Sequence, residues 1–215
     1  MIKLNDIQSK LNETSVQSVS TPATVEEIRK ILKISSAEGI PICPAGALHS
    51  MGGQQFAEKS ISISSKNLTR IWALDKNSKT VWAEGGVTWP ELVGWLKAKQ
   101  IESTSPLTII QKQTGADNLT VGGALSSNIH GRVLNRKPII EDVLAFNIVT
   151  PNGERLKCSR EENFDLFALA IGGYGMFGVI DSVQLKLTER TTLIRHVEET
   201  SIYNAIDSLE NHAEH

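Results

Sequence analysis

The apolar positions of the chain first become periodic between residues 21 and 39, where they form one stripe: Val25, Ile28, Ile31 and Leu32. Thr24 and Glu27 have the spacing of a capping box, in which each side chain satisfies the other's backbone N–H. Gly39 is well placed to end the helix. The pattern therefore predicts a helix that ends at Gly39, followed by an extended run from Ile40 to Ala45.

Alternating or β-branched stretches predict strands along the rest of the chain: residues 61–63, 71–74, 80–83, 143–150, 154–158 and 183–187. A second capping box, Thr88 with Glu91, predicts another helix, and residues 163–173 predict a short one that ends at paired glycines. Residues 106–118 lack periodicity and are predicted to form an ordered surface loop. A last helix is predicted over residues 203–215. Helices and strands in this order predict an α+β fold.

Composition and charge exclude several classes of function. The chain has 215 residues, 40% of them hydrophobic, which is ordinary for a soluble globular protein and enough to fill a core. Lys and Arg total 22 against 24 Asp and Glu, and no basic stripe occurs, so no nucleic-acid partner is expected. No apolar run reaches signal-peptide or membrane-span length, so we expect a cytoplasmic protein with no membrane partner. Cys43 and Cys158 are expected to be small buried side chains.

Three glycine-containing segments carry the candidate chemistry: PAGALHSMGGQ at 44–54, LTVGGALSSNIHG at 119–131 and IGGYGMFGVI at 171–180. A turn is the commonest explanation of any one of them. Glycine also lets backbone N–H groups approach a pyrophosphate closely, because it has no Cβ. None of the segments has the Rossmann or P-loop spacing, so the two usual single-loop phosphate sites are excluded. A site in which several loops together bind a dinucleotide is the alternative that remains.

Two histidines lie in these segments, His49 in the first and His130 in the second. A lone loop histidine is most often hydrogen-bonded to backbone, and that alternative stays open for both. No histidine pair and no carboxylate cluster has the spacing of metal ligands, so no metal is predicted. Ser50 and Ser126 lack the GxSxG context of a nucleophile.

Taken together, residues 20–187 resemble the FAD-binding (PCMH-type) domain of the vanillyl-alcohol oxidase and p-cresol methylhydroxylase superfamily, above all its alditol oxidase, aldonolactone oxidase and cytokinin dehydrogenase branch. The first segment is similar to a flavin pyrophosphate loop whose Gly-x-x-His-Ser form carries a histidine bonded to the flavin 8α-methyl group. TVWAEGGVTWPELVGWL resembles the family's strand–turn–helix, and the other two segments resemble its later FAD loops. The resemblance implies two α/β subdomains that enclose FAD. Ala47 and Leu48 stand where relatives often have Arg or Gly.

The resemblance implies FAD as the cofactor and assigns contacts to it residue by residue. His49 would be the residue covalently bonded to FAD. Its ring must be neutral to react, and the ordinary imidazole pKa of about 6.5 makes loss of the proton easy. Gly131, beside His130, would lie near the flavin ring, and Ile180 would meet the adenine side through its backbone. The implied FAD contacts are Ala45, Gly46, Ala47, Leu48, His49, Ser50, Gln54, Thr120, Gly122, Gly123, Ser126, His130, Gly131 and Ile180.

The function that the resemblance implies is an FAD-linked oxidase or dehydrogenase that takes a hydride from a CH–OH carbon of a small-molecule substrate. In this superfamily the general base and substrate pocket belong to a cap domain, which we expect to be largely absent here. The expected organisation is an N-terminal segment 1–19, an FAD domain 20–190 and the start of a cap region 191–215. A missing cap domain or a partner subunit would complete the enzyme. Two alternatives stay open: an FAD-binding module without independent catalysis, and an NADPH-using reductase on the same fold, against which His49 counts.

Overall fold

The computed structural model describes residues 1–113, 115–133 and 136–213. Its helices are α1 (Val25–Glu38), α2 (Trp89–Lys99), α3 (Val121–Ser126), α4 (Phe164–Ala170) and α5 (Ala205–Ala213). Its strands are β1 (Ile2–Leu4), β2 (Thr14–Val16), β3 (Ser18–Ser20), β4 (Ile42–Ala45), β5 (Ile61–Ser64), β6 (Ile71–Asp75), β7 (Thr80–Glu84), β8 (Leu107–Ile109), β9 (Val143–Val149), β10 (Arg155–Ser159) and β11 (Val179–Glu189).

The N-terminal part holds a three-stranded parallel sheet in which β5 lies between β3 and β4. Parallel strands need a long crossover, and α1 supplies it between β3 and β4. This helix begins where the Thr24 hydroxyl accepts the N–H of Glu27 and ends at Gly39, which has a left-handed φ of 66°. β4 ends at Ala45, so the first glycine segment leaves the sheet at the carboxyl end of that strand.

A larger antiparallel sheet has the strand order β10-β9-β11-β7-β6, and β8 pairs with the far end of β11. Short hairpins join β6 to β7 and β9 to β10, so neighbours in sequence are neighbours in space. α2 contacts β8, α3 contacts β11 and β7, and α4 contacts β10. β11 is therefore the long central strand of this sheet, and the third glycine segment leads into it.

Two clusters of apolar side chains form the core. The larger one lies between the antiparallel sheet and α2 to α4. In it the rings of Phe146 and Phe167 are stacked, with their centroids 5.6 Å apart. The smaller one joins α1 and β5 to the ends of β9 and β11 through Val149 and Val179. Because those two valines belong to the antiparallel sheet, the smaller cluster packs the two sheets against each other.

The predicted helices and strands are confirmed, with four corrections. Residues 106–118 are not all loop, because Leu107–Ile109 pair with β11, and three residues are too few to show periodicity in the sequence. The Glu27 carboxylate accepts the N–H of Ala23, one residue before the predicted partner. β11 begins at Val179 and is buried on both faces over its first half. Cys158 is buried, but Cys43 is only half-buried.

Some predictions have no structural test. Position 114 of the predicted surface loop and positions 214–215 of the last predicted helix lie outside the described residues. The domain boundaries at 19 and 190 stay predictions.

Candidate functional site

The three glycine segments, far apart in sequence, lie side by side around a cavity with two parts. One part is lined by all three segments, for example by Ala45, Gly122 and Ile180. The other part has a volume of about 720 Å³ and carries His49 and His130 on its walls. Because the two parts share walls, they form one groove: the shared residues are Gly46, Ser50, Gln54, Gln55, Gly123, Ser127 and Tyr174. The larger part alone falls within the roughly 300–1,000 Å³ usual for small-molecule sites.

Backbone hydrogen bonds fix the second segment against the turn that follows β7. The N–H of Val121 donates to the carbonyl of Val87 at 2.7 Å, and the N–H of Gly122 donates to the carbonyl of Gly85 at 2.8 Å. The Thr120 hydroxyl then accepts the N–H of Gly123 at 3.2 Å and starts α3. The second segment is therefore held at both a turn and a helix start.

The third segment is tied directly to the second. The N–H of Gly172 donates to the carbonyl of Leu125, and the N–H of Tyr174 donates to the carbonyl of Ser126, both at 3.0 Å. Gly172 and Tyr174 have positive φ angles of 81° and 49°, so the chain reverses here and reaches β11 along the groove. These bonds explain why segments more than forty residues apart share one wall.

Missing Cβ atoms make this packing close. A Cβ on Gly122 would lie 2.9 Å from the carbonyl oxygen of Gly85, and a Cβ on Gly85 would overlap the carbonyl oxygen of Ile180. Both obstacles are backbone atoms, which cannot rotate away. Glycine is thus required at Gly85 and Gly122 by the approach of three backbone segments at the groove.

The first segment presents unengaged backbone donors to the groove. Within the described part of the chain, the N–H groups of residues 46–50 donate to no other protein atom. Leu48 has a left-handed φ of 59°, which turns successive peptide groups toward one side. Residues 46–50 are partly exposed and line the cavity, and five consecutive free donors there fit an anionic ligand.

His49 lies on the wall of the larger part with its two ring nitrogens in different environments. Its Nδ1 is 2.8 Å from the side-chain nitrogen of Gln8. Its Nε2 is shielded from water and has no hydrogen-bond partner in the described part of the chain. Burial lowers the pKa of His49 below its usual 6.5, because the charged imidazolium loses contact with water. The ring is therefore neutral at pH 7.

Charge and polarity on the walls suit an anionic, polar ligand. Among the described lining residues, Arg132 is the one permanently charged side chain, and no Asp or Glu lines either part. A carboxylate there would repel phosphate oxygens. Gln55 is 8% exposed and donates its amide to the carbonyl of Ser50 at 3.2 Å. Its side-chain oxygen has no hydrogen-bond partner among the described residues. That oxygen is an acceptor ready for a ligand hydroxyl or N–H.

All of the FAD contacts implied by the sequence line the groove. The first part takes Ala45, Gly46, Ser50, Gln54, Gly122, Gly123, Ser126 and Ile180. The second part takes Gly46, Ala47, Leu48, His49, Ser50, Gln54, Thr120, Gly123, His130 and Gly131. His130 is exposed, and its Nδ1 is 2.8 Å from the carbonyl oxygen of Gly131. That contact keeps the backbone-bonded explanation open for His130, whereas the Nε2 of His49 makes no such bond.

The lining residues that sequence reasoning did not assign include Gln8, Gln55, Gly85 and Tyr174. Gly85 stands in a segment whose family resemblance was recognised, so that resemblance could have indicated it. Gln55 is adjacent to the predicted Gln54, but only the structure separates the buried amide from the exposed one. Tyr174 lies inside the third glycine segment, so that segment could have indicated it. Gln8 carried no signal, because its place depends on a long-range contact with His49.

Neither a metal site nor a membrane-spanning helix is found among the described residues. No group of three or more His, Cys, Asp or Glu side chains there could hold a metal ion. In that same part of the chain, no helix has the length and apolar character to cross a bilayer. The cytoplasmic location stays a prediction.

Comparisons with known proteins agree with this geometry. A family model described as an FAD binding domain matches residues 16–159. Cytokinin dehydrogenase 3 of Arabidopsis thaliana is 30% identical over 174 residues, which are 79% of this chain and 32% of that protein. The mitochondrial L-galactono-1,4-lactone dehydrogenase 1 of Oryza sativa subsp. japonica is 28% identical over 204 residues, 95% of this chain and 33% of that protein. The chain thus spans about a third of the length of the curated relatives it matches.

A solved structure supports the fold alone. An alkyldihydroxyacetonephosphate synthase superposes with a TM-score of 0.68 at 20% identity. The match covers 80% of this chain and 34% of the synthase.

Proposed function

This chain belongs to the FAD-binding-domain family and has FAD as its cofactor, and from that premise we propose that it is the flavin-holding part of an oxidoreductase whose FAD is bonded to His49. The observation that carries the proposal is the position of His49, a neutral imidazole on the wall of a groove built from three glycine segments. The relatives named as dehydrogenases support the oxidoreductase class.

The free N–H groups of residues 46–50 fit the pyrophosphate of FAD. They are consecutive, belong to residues that line a cavity without carboxylates among its described lining residues, and donate no hydrogen bond to the described protein. Gly46, Gly122 and Gly123 let the ligand approach the backbone closely. Ser50 and Ser126 add hydroxyls on the same walls, and the Gln55 side-chain oxygen can accept a bond from the ribityl chain or the ring.

His49 would form the covalent bond through its neutral ring. A C–N bond replaces the imidazole N–H and one C–H of the flavin 8α-methyl group. When bound, FAD would supply the electrophilic 8α carbon and the two-electron oxidising power for this bond, with dioxygen as the final oxidant, and it would be the hydride acceptor for the substrate. The protein contributes position: it holds the ring at the wall, excludes water from Nε2 and keeps the imidazole uncharged. Burial thus favours the state that can react.

We propose a CH–OH donor as the substrate, in line with the lactone dehydrogenases among the relatives. A second candidate is an FAD-binding module that catalyses nothing by itself. One observation favours it for this chain: no carboxylate among the described lining residues is placed to act as a general base. The base would then come from a further domain or a partner subunit.

The proposal is tested by loading the protein with FAD in air and denaturing it in acid. We expect yellow flavin to stay with the precipitated wild-type protein and to be absent from the precipitate of His49→Ala. His130→Ala is the matched control, since it removes the other lining histidine and should keep the colour. Flavin that washes out of the wild type would overturn the covalent bond. Oxygen consumption with polyols, sugars and lactones separates an active enzyme from a bare module.

A further inference from the structure

We propose that the turn from Asn5 to Asn12 is a clamp that holds the first glycine segment in its FAD-receiving shape, with Gln8 positioning the imidazole of His49. The inference rests on the proposed function only where it concerns covalent attachment. The family model matches from residue 16, so the clamp lies outside the matched region. It connects β1 to β2, the hairpin at the start of the chain.

Asp6 organises the clamp from within. Its carboxylate accepts the backbone N–H groups of Gln8, Ser9 and Lys10 at 3.1, 2.5 and 3.2 Å. It also accepts the Ser9 hydroxyl at 2.8 Å and the Asn12 amide at 2.9 Å. Asp6 is 1% exposed, and although burial raises its pKa, these hydrogen bonds outweigh burial and hold the pKa far below its usual range. An ionised carboxylate with five donors fixes the turn.

Three hydrogen bonds then join the clamp to three residues of the first glycine segment, Leu48, His49 and Met51. The N–H of Ile7 donates to the carbonyl of Leu48 at 3.0 Å. Gln8 contacts Nδ1 of His49 at 2.8 Å. The Asn12 amide donates to the carbonyl of Met51 at 2.7 Å. The turn is therefore hydrogen-bonded both to the backbone of the first glycine segment and to the ring of His49.

The clamp contacts the first glycine segment at Leu48, the residue with an unfavourable backbone conformation. Leu48 is a non-glycine residue in the left-handed region, a conformation that costs free energy and persists when neighbours hold it. The bond from Ile7 holds the Leu48 peptide, and the N–H groups beside it stay free for a ligand. Since Nε2 of His49 has no partner among the described residues, the Gln8 contact fixes the ring's orientation.

A hairpin that merely covers the end of the sheet is the competing explanation. It predicts that changes in the clamp lower overall stability and leave the chemistry of His49 untouched. The clamp predicts effects on attachment rate at saturating FAD and on the pH dependence of attachment. Those readouts separate the two explanations.

The experiment on Gln8 compares Gln8→Ala and Gln8→Glu with Gln17→Ala, an exposed glutamine just after the hairpin. Gln8→Ala should slow covalent attachment about five- to tenfold at saturating FAD, the loss expected from one hydrogen bond. Gln8→Glu places a carboxylate beside the ring, raises the pKa of His49 and moves the pH profile of attachment upward. Gln17→Ala should match the wild type. Unchanged rates in Gln8→Ala and an unmoved profile in Gln8→Glu would overturn the role of Gln8.

The experiment on Asp6 uses readouts that need no covalent bond. Asp6→Asn is compared with Glu13→Gln, which removes an exposed carboxylate from the same hairpin. We expect Asp6→Asn apoprotein to be cleaved faster by chymotrypsin after Leu48 and Met51. In a His49→Ala background it should bind FAD about tenfold more weakly, or 1.4 kcal/mol. Cleavage and affinity equal to those of Glu13→Gln would overturn the clamp. If wild type binds FAD only reversibly, the covalent bond fails and these two readouts still decide the clamp.

Discussion

Gly46 and Thr120 meet across the groove, because a Cβ on Gly46 would overlap the Oγ1 atom of the Thr120 side chain. That oxygen accepts the N–H of Gly123 and begins α3. The first and second glycine segments are therefore packed together at a helix cap, and the space between them depends on a missing methyl group.

Gly46→Ala should lower both stability and FAD affinity. The new methyl group forces Thr120 to rotate, which breaks the cap and costs about 1 kcal/mol in the free energy of unfolding. Gly94→Ala is the matched control: no atom lies within 4 Å of its added Cβ, and it stands inside α2. There alanine should stabilise the fold by about 0.5–1 kcal/mol, because glycine has poor helix propensity. Thermal unfolding and FAD titration measure both effects, and equal behaviour of the two variants would contradict the packing described.

Gln55→Leu should separate stability from binding. The buried side-chain oxygen of Gln55 has no partner among the described residues, and an unsatisfied buried polar group costs about 1–3 kcal/mol. Leucine removes that cost but also the hydrogen bond to the Ser50 carbonyl, so the stability of the apoprotein should change little while FAD affinity falls. Gln17→Leu, at an exposed position, should change neither quantity. A Gln55→Leu protein that binds FAD as tightly as wild type would show that the oxygen does not face the ligand.

Attachment of FAD should depend on pH through His49. Burial lowers the pKa of this imidazole below 6.5, and the neutral ring is the reactive form. The rate should therefore fall with decreasing pH, with the midpoint of the decline below pH 6.5. In the same window the unfolded state binds more protons than the folded state, so stability falls as pH drops from 6.5 through the folded-state pKa. His49→Ala should lack that loss, and His130→Ala should keep it. A midpoint at or above pH 6.5 would contradict a buried neutral ring.

FAD should raise the melting temperature of the chain. In His49→Ala, where binding is reversible, FAD at one hundred times its dissociation constant should add about 2.7 kcal/mol to the free energy of unfolding. Differential scanning of the protein with and without FAD measures the shift. AMP is a suitable control ligand, because it lacks the pyrophosphate and the flavin. Equal melting temperatures with and without FAD would count against a groove shaped for the dinucleotide.

Most of the elements and most of the groove followed from local sequence signals, whereas β1, β2, β3 and α3 were not predicted. The stripe on α1, the paired strands β6–β7 and β9–β10, and the glycine segments are patterns within short windows, and short windows record local physics. The resemblance to an FAD-binding family then ordered the segments, and all of its implied contacts line the groove.

The remaining features depend on contacts between distant residues. β8 is a strand because β11 lies beside it, and Cys43 is only half-buried in β4, which is an edge strand of its sheet. Gln8 reaches His49 across forty-one positions of sequence. Neither periodicity nor a motif records such a pairing, and a glutamine in a polar N-terminal turn looks like any solvated residue.

The most direct test of the account is peptide mapping by mass spectrometry of the FAD-loaded, denatured protein. We predict one peptide whose mass has increased by a bound flavin, with fragmentation placing the flavin on His49. His49→Ala should yield no flavinylated peptide. A wild-type digest without a flavin peptide, or one with the flavin on His130, would contradict the assignment.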